Sequence, residues 1–108
     1  MRYEFIYTEL FEKTTAGLLT DDVMEGVENI LCLDPRAGDV MRETHGVRKL
    51  RVALPGRGKR GSARVTYLYI EIAGTIYFLI AYAKNAQGNV TAAQTKLLAA
   101  WAARLKEE

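Results

Sequence analysis

The chain has 108 residues, enough for one domain and too few for two of ordinary size. Apolar types make up 49% and charged types 26%, which excludes a wholly disordered chain. The net charge of +2 conceals an asymmetry. Residues 1–39 hold nine acids and three bases, residues 40–90 nine bases and two acids, and residues 91–108 three bases and two acids. A single cysteine, Cys32, excludes an internal disulfide and a cysteine cluster for zinc, and its default reading is a buried small apolar group. No apolar run approaches the roughly 18 residues of a membrane span. The first residues carry charge at Arg2 and Glu4, so no signal peptide is expected, and the expected location is cytoplasmic.

Residues 3–8 (YEFIYT) are aromatic and β-branched and predict a strand. From Glu9 to Leu18 the period changes, with Leu10, Phe11, Thr14 and Leu18 on one helical face. Thr20, Asp21 and Asp22 are N-cap candidates for a second helix, and Asp22 with Glu25 resembles a capping box. Val23, Val27, Ile30 and Leu31 form its apolar stripe, and Asp34-Pro35 ends it. Residues 47–53 predict a strand with Leu50 and Val52 facing the core. Residues 54–62 (LPGRGKRGS) predict a loop, 63–72 a long strand, and 73–74 a tight turn. Residues 75–83 (TIYFLIAYA) read as a central strand covered on both faces. Thr91 with Gln94 resembles a capping box for a last helix, with Gln94, Leu97, Leu98, Trp101 and Leu105 on one face. The expected order is βααβββα. That is a single α+β domain over 1–108, with an antiparallel meander whose helices cover one face.

The basic middle carries the chemistry. Lys49 and Arg51 lie two apart on a strand and share a face opposite Leu50 and Val52. Arg64 opens the next strand, and Lys84 ends the last. Four cations can therefore converge on one exposed sheet face, a costly cluster without an anion. The alternative is a solvated face that guards the sheet against aggregation. Gly56, Gly58 and Gly61 have G-x-G-x-x-G spacing but open a strand rather than a helix, which rejects a dinucleotide site. His45 is the only histidine and reads as structural or exposed. With no second histidine and no Cys–His pair, neither a catalytic triad nor a histidine-based metal site is expected, and carboxylates clustered in the helices leave no two-metal site.

The run GVRKLRVALPGRGKRGSARVTYLY, followed by IYFLIAYAKN and an amphipathic last helix, resembles the RelE/ParE toxin superfamily. Within it the chain looks most like the HigB-type branch of RelE-like toxins. The resemblance runs from about Asp34 to the C-terminus. It implies a RelE-like α+β fold and a toxin of a type II toxin–antitoxin system. It implies an mRNA endonuclease (mRNA interferase) that acts in the ribosomal A site without a metal or cofactor. The implied partners are a cognate helix-turn-helix, HigA-like antitoxin, the ribosome and mRNA. Operator DNA is implied only through the antitoxin complex, and no membrane is implied.

Metal-free cleavage uses the RNA's own 2′-hydroxyl against the adjacent phosphate. It needs a proton acceptor, a cation for the phosphorane and a donor for the leaving oxygen. The resemblance places Lys49, Arg51, Arg64 and Lys84 in catalytic positions, with Arg64 on transition-state charge. One lysine with a lowered pKa would be the base. Arg48, Arg57, Lys59, Arg60, Tyr67 and Asn85 are expected to bind RNA, with Tyr67 either stacking on a base or packing in the sheet. The chain lacks the tyrosine that RelE carries in its last helix and the His–Glu dyad of some relatives, and Asn85 stands where some relatives have an arginine. The competing readings are a ParE-like, non-enzymatic inhibitor of gyrase and a plain RNA-binding module.

Overall fold

The computed structural model describes residues 2–15, 17–55, 61–84 and 87–107. The elements are β1 (Glu4–Tyr7), α1 (Glu9–Thr15), α2 (Asp21–Leu33), β2 (Asp39–Val40), β3 (Arg48–Ala53), β4 (Ser62–Ile70), β5 (Thr75–Ala83) and α3 (Ala92–Glu107). The long elements fall where the periodicity predicts them. β4 stops two residues early, at Ile70, because Glu71–Ala73 form a 3₁₀ turn before Gly74 takes a left-handed φ of 63°. Helix α1 ends at Thr15 rather than Leu18, although Leu18 still packs against the core. Thr20 is the N-cap of α2, its Oγ1 accepting from Val23 N at 3.2 Å, so the expected Asp22–Glu25 box is not used. The α3 box forms as expected. Thr91 N donates to Gln94 Oε1 at 3.0 Å, and Gln94 N donates to Thr91 Oγ1 at 3.1 Å.

The five strands form one sheet in the order β1-β5-β4-β3-β2. β3, β4 and β5 make the expected antiparallel meander. Two edges go beyond it. β1 pairs with β5 in parallel, and the two-residue β2 pairs antiparallel with β3. Both β1 and α1 line up along β5: where the ladder ends, Thr8 Oγ1 donates to Phe78 O and Ala81 N donates to Thr14 Oγ1.

Helices cover both faces, not one. On the first face Met24, Val27 and Leu31 of α2 meet Val52, Val65, Tyr67, Ile76, Phe78 and Ala81. On the second face Leu98, Ala102 and Leu105 of α3 meet Leu68, Leu79, Ile80 and Tyr82. Two cores arise because alternate residues of β4 and β5 point opposite ways and nearly all are apolar. Trp101 is half-buried, with the Arg104 guanidinium 5.5 Å from its ring centroid. Cys32 is exposed on α2, not a buried small group, because it lies outside the stripe of Met24, Val27 and Leu31.

A bulge in β5 decides which side chains meet on the second face. Thr66 pairs with Ile80, but Tyr67 pairs with Phe78, so Leu79 is the extra residue. Leu79 and Ile80 both face α3, and the alternation beyond them is inverted. Without the bulge Tyr82 would share the face of Ile76 and Phe78; with it, Tyr82 stands beside Arg64.

Candidate nucleic-acid interface

α3 covers only part of the second face, and the uncovered part is basic. Two cross-strand rows build it. The first is Asp39 of β2, Lys49 of β3, Thr66 of β4 and Ile80 of β5. The second is Arg51 of β3, Arg64 of β4 and Tyr82 of β5. Lys84 follows β5 on the same side, its backbone N donating to Ser62 O at 3.0 Å. Directly opposed residues in an antiparallel ladder lie about 4.5–5.5 Å apart at Cα and share a face. All the polar members of these rows except the buried Thr66 line one open cavity of about 310 Å³, together with Lys84, Gly88 and Asn89.

The four expected cations, Lys49, Arg51, Arg64 and Lys84, are thus brought together. Arg51 faces Arg64 directly, a like-charge pairing that is unfavourable unless an anion lies between them. Arg64 is braced by Ser62 Oγ and Ala63 O, each 3.4 Å from Nη1. Lys84 Nζ donates to Gly88 O at 2.5 Å, and Gly88 and Asn89 line the cavity beside it. Tyr82 is 6% exposed, and burial raises its hydroxyl pKa while Arg64 opposes the rise, so the phenol stays a donor at neutral pH.

Two expected RNA-binding residues lie elsewhere. Tyr67 does not reach a base: it is fully buried on the first face. Its hydroxyl donates to Pro35 O and accepts from Gly38 N, both at 2.9 Å. Arg48 also points to the first face, where Nη1 donates to Gly38 O at 2.8 Å and Arg36 O at 3.2 Å. Both side chains fasten the 35–38 segment that leads into β2. Gly38 is tight there, since a Cβ would stand 2.7 Å from Lys49 O. Arg57, Lys59, Arg60 and Asn85 lie outside the described residues. His45 is exposed, with a positive φ of 59°, and its carbonyl accepts from Lys106 Nζ.

Sequence reasoning missed Tyr82 and Asp39. Tyr82 had a signal, since it lies two residues before Lys84 on a strand and so shares its face. Asp39 had none, because a two-residue strand shows no period and its pairing partner is ten residues away. Its presence corrects the expectation that the carboxylates keep to the helices.

A family model described as the RelE toxin of the RelE/RelB toxin–antitoxin system matches residues 40–108, more than half of the chain and all the clustered cations. The solved structure of a mutant of E. coli toxin RelE in the free state is similar in fold, with a TM-score of 0.58 and 16% identity. That similarity covers 93% of this chain and 96% of the other. The match over β3, β4, β5 and α3 shows that the chain belongs to the RelE toxin family of toxin–antitoxin systems.

Proposed function

We propose that this toxin is a ribosome-dependent endoribonuclease of the HigB type that cuts mRNA in the A site by 2′-hydroxyl attack. The observation that carries this reading is the convergence of Lys49, Arg51, Arg64 and Lys84 on one open cavity. An RNA phosphate seated between Arg51 and Arg64 relieves their repulsion and receives bidentate donors. As the 2′-oxygen attacks, charge grows on the phosphorane, and Arg64, held against its own strand, is placed to stabilise it. The chain is small and its cavity open, so the ribosome supplies the positioning of the message. A HigA-like helix-turn-helix antitoxin is the partner that holds the toxin in check in the cytoplasm, and operator DNA is reached only through that complex.

The test is Arg64→Ala in a programmed-ribosome cleavage assay. We expect A-site cleavage and growth inhibition to fall by 10²-fold or more, the range for loss of one transition-state donor, while circular dichroism is unchanged. Full cleavage by this variant would remove Arg64 from the mechanism. Intact mRNA with inhibited gyrase supercoiling would replace the reading with a ParE-like one.

A further inference from the structure

We infer that Asp39 is the proton acceptor that activates the RNA 2′-hydroxyl, in place of a lysine. This inference rests on the proposed ribonuclease reading. Asp39 is the one carboxylate among the described residues lining the basic cavity. Its place is set by the ladder: it pairs with Lys49 and stands one strand outside it on the same face.

The chemistry of the lining residues leaves it the task. The arginines can only donate, and the proposed step uses Lys49 and Lys84 as donors to the phosphate and the leaving oxygen. The Tyr82 phenol is held in its protonated form by burial and is likewise a donor. A carboxylate is the one lining group whose charged form accepts and does not donate. Asp39 also weakens anion binding by placing a negative charge in an anion site, so phosphate affinity does not explain its presence.

The fold takes care to place it. Tyr67 Oη and Arg48 Nη1 fasten Gly38 from the first face, at 2.9 and 2.8 Å. Gly38 in turn lies too close to Lys49 O to carry a Cβ. The residue following Gly38 is therefore fixed in register with Lys49 although β2 is only two residues long. Along β3 the Asp39–Lys49 row stands about 7 Å from the Arg51–Arg64 row, two strand residues apart. A phosphate held by the arginines thus lies one row away from the Asp39 carboxylate in the same cavity.

In the step, an Asp39 carboxylate oxygen takes the 2′-hydroxyl proton as the 2′-oxygen bonds to phosphorus. The bond from phosphorus to the 5′-oxygen breaks, and that oxygen takes a proton from the Lys84 ammonium. The products are a 2′,3′-cyclic phosphate and a 5′-hydroxyl. Asp39 then loses its proton to water and Lys84 regains one, with no redox change.

The experiment compares wild type, Asp39→Asn and Asp39→Glu on mRNA-programmed ribosomes, measuring both single-turnover cleavage and ribosome binding. For Asp39→Asn we expect cleavage to fall by about 10²–10⁴-fold, the range for a general base. Binding should be unchanged or tighter, because a negative charge has left the cavity. Asp39→Glu should recover part of the rate. Asparagine cleaving within about threefold of wild type overturns the inference, and so does equal loss of binding and cleavage, which marks a structural residue. A wild-type protein that leaves the message intact overturns the ribonuclease reading itself, and this inference falls with it.

Discussion

Arg51 and Arg64 stand directly opposite each other on β3 and β4, two guanidinium groups on one face of the sheet, with Tyr82 completing the row. Neither forms an ion pair with a described acid. The folded chain therefore holds two like charges face to face in an open cavity, and a bound anion relieves their repulsion.

This pair makes the fold sensitive to anions. Inorganic phosphate at ten times its dissociation constant should stabilise the wild-type protein by about 1.4 kcal/mol. For a domain of this size that is a rise in Tm of several degrees, at roughly 4–8 °C per kcal/mol. Arg64→Ala should shift much less under the same phosphate titration at constant ionic strength. Thermal melts of the two proteins check this, and equal shifts would place the anion elsewhere.

Tyr67 is a fastening for β2 rather than an RNA contact. Tyr67→Phe keeps the ring but leaves Pro35 O and Gly38 N without their buried partner. We expect a loss of about 1–3 kcal/mol in urea unfolding. A loss below about 0.5 kcal/mol, within the range of ordinary surface substitutions, would mean that the 35–38 segment is held without it.

Three wholly or partly buried phenols give stability an alkaline limit. Burial raises the pKa values of Tyr7, Tyr67 and Tyr82, and for Tyr7 the hydrogen bond to Glu28 adds to the rise. Their folded pKa values lie above the unfolded value of about 10. The unfolded chain therefore releases these protons first. The contribution is full below about pH 10 and is lost as pH rises beyond it. Urea midpoints should change little from about pH 7 to 9 and fall above about 10, less steeply in a Tyr7→Phe, Tyr82→Phe double variant. Parallel falls in the two proteins would assign the loss to other groups.

Much of the architecture is legible in local pattern. The alternation of Lys49 and Arg51 with Leu50 and Val52 places cations and core on opposite faces of β3, as found. The continuous apolar run of β5 foretells a strand covered on both sides, and Thr91 with Gln94 foretells the start of α3. These features are readable because side-chain direction in a strand and capping in a helix depend on residues within a few positions of each other.

The candidate site was only half legible for the same reason. By itself the sequence determined which residues are basic, which strands carry them and which face of each strand they take. The tertiary structure decided the rest. Pairing of β1 with β5 joins residues some seventy positions apart, and no local period encodes a partner at that distance. The Leu79 bulge turns Tyr82 toward Arg64, an inversion that depends on the β4 ladder and not on the composition of β5. Asp39 enters the cavity because Tyr67 and Arg48, from the opposite face of the sheet, hold Gly38 against Lys49. A short edge strand has too few residues to declare itself, so its position is set by the long strands it is fastened to.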